Sequence, residues 1–195
     1  SFCHRALICA ALAEGASILY GMYPSDDALA TAACLSALGA DIRFDGEKAY
    51  VRGFDALSAK ATSTLPCGES GSTLRFLTAI ALLSQNEVTL TGTTRLMQRP
   101  LAEYEKICLG QNLLYKKDKT SLTVCGRLSA GTYEISAEVS SQFASGLMMA
   151  LPLLASDSRI LLTGKVTSRS YLLITAEVMR AFGVDVTVGE RDIYI

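Results

Sequence analysis

The chain has 195 residues, 18 Lys and Arg against 19 Asp and Glu for a formal net charge of −1, and half its residues apolar. So apolar a chain buries a sizeable core, which excludes a disordered segment. Near-neutral charge argues against a nucleic-acid partner, whose footprint is a strong basic excess. The apolar runs, such as 146–155, fall well short of the roughly 18 to 20 residues of a bilayer span, so no membrane partner is expected. No leader with basic head, apolar stretch and cleavage site opens the chain, and a cytoplasmic protein is expected. The first residue is Ser1, not Met, and it stands at a helix start, which reads as a trimmed or processed fragment. Six cysteines without C-x-x-C spacing and one histidine suit reduced thiols and not zinc; neither metal nor cofactor is expected.

In chain order, apolar residues at helical spacing predict a helix over about 3–14, and the strand Ser17–Gly21 follows. A helix over 25–38 stops at Gly39, and alternation then predicts the strands Asp41–Phe44 and Ala49–Arg52. The same order returns as a strand at Thr62–Pro66, a helix over 71–84, the strand Val88–Gly92 and a helix over 100–110 stopped by Gly110. Strands Leu113–Lys116 and Leu122–Cys125 close that second round. A third runs through Thr132–Ile135, a helix over 140–155, the strand Ile160–Gly164 and a helix over 171–182 stopped by Gly183. Both the glycine-ended strands and the glycine-stopped helices recur every 71 to 73 residues or so. The reading is one α/β domain over 1–195 with pseudo-threefold symmetry. Its three β-α-β-α-β-β units cover about 1–60, 61–128 and 129–195, with helices inside and sheets outside. The first strand of unit one would lie before Ser1.

Helices related by a threefold point their N-termini the same way, and each N-terminus offers free N–H groups and partial positive charge. The openings are rich in hydroxyls or glycine: Ser1 to Arg5, Gly68 to Thr73, and Ser140-Ser141-Gln142. At one helix these are ordinary caps; three in register favour an oxyanion site. The loops before the second helices add cations. Pro100 suits a helix N1 position, which would place Arg99 at the cap with its guanidinium free for a bidentate anion contact. Val166 to Tyr171 is the matching stretch in unit three. Unit one has Ser25-Asp26-Asp27, read only as a cap and two dipole-favoured acids. Arg5, four residues after Ser1, shares its helix face. Arg75 fits either the site or a structural salt bridge, and His4 reads as a surface or packing residue in preference to an acid–base group.

The segments SFCHRALICAALAEG, CGESGSTLRFL, Gln98-Arg99-Pro100, VSSQFASGLMMALPLL and Ser168 to Tyr171 resemble, in order, landmarks of the EPSP synthase (3-phosphoshikimate 1-carboxyvinyltransferase) family. The likeness covers the whole chain and one of that enzyme's two lobes. It implies transfer of enolpyruvyl from phosphoenolpyruvate to the 5-hydroxyl of shikimate 3-phosphate, with release of phosphate. Matched motif by motif, Ser1, Arg5, Ser140, Ser141, Gln142, Ser168 and Tyr171 would hold shikimate 3-phosphate. Gly71, Arg99 and Gln142 would belong to the phosphoenolpyruvate site, which glyphosate also occupies in the family, and a side chain at Gly71 would intrude there. The family's lysine before Ser1 and its second lobe, which carries the acid and base groups, have no counterpart in the sequence. No catalytic set is therefore complete on this chain, which is expected to be monomeric and inactive alone, with the second lobe as its missing partner. Cys3 stands where serine is common, Ser170 where proline is usual, and Glu69 where Asn is frequent. The rivals are the UDP-N-acetylglucosamine enolpyruvyltransferase, which shares fold and chemistry, and a non-catalytic lobe that only docks or scaffolds.

Overall fold

The computed structural model describes residues 2–58, 63–166 and 168–195. Ser1 and Thr62, both named above, lie outside the described residues. Helix α1 (Phe2–Leu12) leads into β1 (Ala16–Tyr20), α2 (Asp26–Leu38), β2 (Asp41–Asp45) and β3 (Lys48–Arg52). Then come β4 (Ser63–Pro66), α3 (Gly71–Ala81), β5 (Val88–Thr91), α4 (Thr94–Met97), α5 (Ala102–Gly110), β6 (Leu114–Lys117) and β7 (Ser121–Cys125). The last stretch holds β8 (Thr132–Ser136), α6 (Ser141–Ala150), β9 (Arg159–Thr163), α7 (Arg169–Ala181), β10 (Thr187–Val188) and β11 (Asp192–Tyr194).

Three sheets result, in orders β1-β3-β2, β4-β5-β7-β6 and β8-β9-β11-β10. In the second and third, a parallel edge pair (β4 with β5, β8 with β9) is bridged by α3 or α6, and the remaining pairs are antiparallel. The first sheet has the antiparallel part only. Strands such as β3 and β9 bury alternate residues, so each sheet turns one face to the helices and one to solvent. The helices that cross behind the parallel pairs are buried nearly all round: Phe143 to Ala150 of α6 and all but Ser72 and Arg75 of α3 are covered. Their contact is close enough that a Cβ on Gly146 would lie 2.5 Å from the Tyr104 hydroxyl and 3.0 Å from the Arg75 carbonyl oxygen. The Tyr104 hydroxyl donates to that carbonyl (2.6 Å), and its ring meets Phe143 edge-on at 5.2 Å.

Several sequence-level details are corrected. The second helix of unit two is stopped at Asn112 (φ 55°), not Gly110, which is still helical. The bond from Leu113 N–H to the Cys108 carbonyl matches Ala40 to Leu35 and Val184 to Met179, so Gly39, Asn112 and Gly183 hold one structural position. Asn, with a short side chain that bonds locally, tolerates this left-handed backbone. The helix foreseen over 140–155 ends at Ala150 and tightens into a 3-10 turn at Leu151–Leu153, because Pro152 has no N–H to continue it. Pro100 is not at N1 either: Leu101 is the cap of α5, and Arg99 follows the unforeseen helix α4, which Thr93 caps. Among the described residues no helix is long and apolar enough to cross a membrane.

Candidate anion-binding site

Five helix N-termini open on one cavity of about 420 Å³, that of α2 through Asp27 and the others through His4 and Arg5 of α1, Ser72 of α3, Ser141 and Gln142 of α6 with their cap Ser140, and Tyr171 of α7 with its cap Ser168. Asp27, from the first turn of α2, and Phe76, Glu138 and Val139 complete the wall. Such a volume suits a small ligand. Six of the seven residues expected around shikimate 3-phosphate meet here; the seventh, Ser1, lies outside the described residues.

Arg5 is the keystone of the wall. It is 2% exposed, and its Nε donates to Thr175 Oγ1 (2.6 Å) while Nη2 donates to Ser145 Oγ (3.3 Å). Its guanidinium packs over the rings of Phe76 (4.9 Å) and Tyr171 (5.9 Å). Burial lowers its pKa to about 10, so it stays charged at neutral pH. The serines differ in availability. Ser140 Oγ accepts from the Gln142 N–H (3.1 Å) as a cap and keeps its own proton to donate, whereas among the described residues Ser168 makes no side-chain cap bond.

Gly71 and Arg99 lie apart from this cavity, beside a second, smaller one of about 140 Å³ lined by Glu69, Thr93, Arg95, Leu96 and Arg99. A Cβ on Gly71 would collide with Arg99 Nη1, so the glycine makes room for the guanidinium. The two regions are joined by Arg75, whose role the sequence left open. Its Nη1 donates to Gln142 Oε1 (2.7 Å) and its Nη2 to the Pro100 carbonyl (3.3 Å). It therefore ties Gln142 to the Arg99 loop, and among the described residues it makes no salt bridge and its buried Nε has no hydrogen-bond partner. Burial, then the nearby Arg99 charge, lowers its pKa. Asp27, assigned no role from sequence, reaches the wall because α2 starts where α7 starts in the third repeat. That repeat equivalence was the available signal. Ser72 stood in the hydroxyl-rich opening Gly68 to Thr73, whereas Glu138 gave no signal, since only the folded chain brings it to the wall.

The EPSP synthase (3-phosphoshikimate 1-carboxyvinyltransferase) family model matches residues 1–195. The chain belongs to the EPSP synthase family. Among curated relatives of that name, the one from Clostridium kluyveri is 42% identical over 186 residues, covering 94% of this chain and 43% of the relative. The one from Clostridium perfringens is 37% identical over 188 residues, covering 95% and 44%. An EPSP synthase structure from Acinetobacter baumannii superposes over the whole chain and 44% of its own length, with TM-score 0.82 at 23% identity, and so shows the shared fold. The chain thus spans a little under half the length of the EPSP synthases it matches. Its six cysteines are unpaired thiols, and burial pushes the Cys9 thiol up to about 12, which leaves it un-ionised beside Arg5.

Proposed function

We propose that this chain is one lobe, with repeats about 1–60, 61–128 and 129–195, of an enzyme that transfers enolpyruvyl from phosphoenolpyruvate to the 5-hydroxyl of shikimate 3-phosphate. The observation that carries the reading is the convergence of Arg5, Ser140, Ser141, Gln142, Ser168 and Tyr171 on one cavity at helix N-termini. Free N–H groups and hydroxyls there suit the 3-phosphate, and Arg5 with Tyr171 would orient the ring and carboxylate. Gln142, held by Arg75, would border phosphoenolpyruvate, and the same Arg75 reaches the Pro100 carbonyl next to Arg99. In the reaction the methylene carbon of phosphoenolpyruvate gains a proton as the 5-hydroxyl, losing its own, adds to the neighbouring carbon; phosphate then leaves together with a proton from the new methyl group, which restores the carbon–carbon double bond. This lobe's share is to hold and orient substrate and to supply Arg99 as an electrostatic partner for the leaving phosphate. Asp27 and Glu138 on the wall offset the Arg5 charge. A dianion is held well only when further cations arrive from the remainder of the length that the relatives possess.

Shikimate 3-phosphate titrated into the chain, with amide shifts followed by NMR, tests this reading. Perturbations at Ser140 to Gln142, Ser168 and Tyr171 are expected, and Arg99→Ala should hardly change the affinity. No perturbation at saturating ligand would overturn the assignment and favour a scaffold.

A further inference from the structure

The proposed function leaves one pair on the cavity wall unused. His4, 7% exposed on the first turn of α1, places Nδ1 3.0 Å from Ser72 Oγ of α3, while no described residue bonds its Nε2. Ser72 Oγ also lies 3.2 Å from Ser70 Oγ. Ser70 Oγ accepts the Thr73 N–H (3.3 Å) and lies 2.8 Å from Thr73 Oγ1, which is also 2.8 Å from Thr31 Oγ1; with Thr31 donating to Thr73 and Thr73 to Ser70, the Ser70 proton is free for Ser72. The proton of Ser72 is then left for His4 Nδ1, which makes neutral His4 the Nε2–H tautomer. A second proton on the ring reverses the last link. Nδ1–H donates to Ser72, and the Ser72 hydroxyl proton is released toward the cavity.

We propose that His4 and Ser72 form a proton-linked anion clamp, in which binding of a phosphate-ester dianion draws a proton from solvent onto His4. The charged ring and the freed Ser72 hydroxyl then both donate to the ligand. This rests on reading the cavity as a phosphate-ester site. Without ligand, burial holds the His4 pKa below its ordinary value. Arg5 acts in the same direction, and the Asp27 carboxylate of α2 acts against it. Glu138, ahead of α6, and Tyr171 of α7 are the other titratable groups on the wall. A dianion within about 4–6 Å favours the charged ring and raises its pKa by at least about one unit. Each unit of rise gives about a tenfold gain in affinity at low pH. The sign follows from linkage: binding that raises a pKa takes up a proton. The His4 contribution is full below the free-state pKa and is lost as pH rises through the bound-state pKa.

His4 is the chain's sole histidine, so its ring resonances are unambiguous in a long-range proton–nitrogen spectrum. The test follows that ring from pH 5 to 8, without and with saturating shikimate 3-phosphate, in the wild type and in His4→Gln, alongside the backbone amides. The inference expects an Nε2–H tautomer in the free protein, a bound-state pKa higher by about one unit or more, and a pH-dependent affinity difference between wild type and variant of about tenfold. The ligand's own ionisation acts on both proteins alike and cancels in that difference. Shifts at Ser140 to Gln142 with an unmoved or lowered His4 pKa would overturn the clamp and leave the substrate reading intact. No amide shifts at all would overturn that reading and the clamp with it. A dispersed amide spectrum of His4→Gln verifies that the variant is folded.

Discussion

Gly71 and His4 show how single residues set the site. A Cβ at Gly71 would collide with Arg99 Nη1, the mobile tip of an exposed side chain and not backbone. Gly71→Ala should therefore displace the Arg99 guanidinium at little cost in stability, within about 1 kcal/mol. In the catalytically complete protein, this appears as a raised KM for phosphoenolpyruvate with shikimate 3-phosphate binding unchanged. A fall in thermal stability of many degrees would instead mean that Gly71 is a packing residue. His4 yields a pH signature. Its folded pKa lies below the ordinary 6.5, so the unfolded chain binds more protons there and stability falls as pH drops through that window. Urea unfolding between pH 7 and 5 should show this loss, and His4→Gln should reduce it.

At the scale of elements, the α3–α6 contact tolerates no added atom. Gly146→Ala would press on the Tyr104 hydroxyl and on the backbone at Arg75 and Phe76, which cannot rotate away. The expected cost is about 1–3 kcal/mol by chemical denaturation, and a neutral result would show that these helices separate easily. Most elements were legible because their period was: strands alternate, helices recur at three and four, and the repeat makes each reading threefold. The failures have local causes. Asn112 takes a left-handed backbone as glycine does, so the nearby Gly110 drew the helix stop to itself. Pro152 cut α6 short, and α4, four residues long, is too brief for a hydrophobic period to declare it. The site was legible where hydroxyls and arginines sit at repeated helix starts, as with Arg5, Ser140 and Ser168. It was illegible where a residue matters by proximity alone. Ser72 meets His4 across 68 positions of sequence, and Arg75 reaches Gln142 across 67.

For the whole molecule, three sheets surrounding buried helices bring five helix N-termini to one end, and the proposed function names the anion that this end would take. The wall carries Arg5 but also Asp27 and Glu138, and the chain spans a little under half of its relatives. These 195 residues by themselves should release no phosphate from phosphoenolpyruvate and shikimate 3-phosphate above the uncatalysed background. Product formation at ordinary enzyme rates, about 1–10³ per second, would contradict that expectation. The most direct test of the substrate assignment is a crystal structure of the chain soaked with shikimate 3-phosphate. The account predicts the phosphate at Ser140, Ser141 and Ser168, with the ring beside Tyr171 and the carboxylate near Arg5. Ligand density at the Glu69–Arg99 cavity instead, with the first cavity empty, would contradict it.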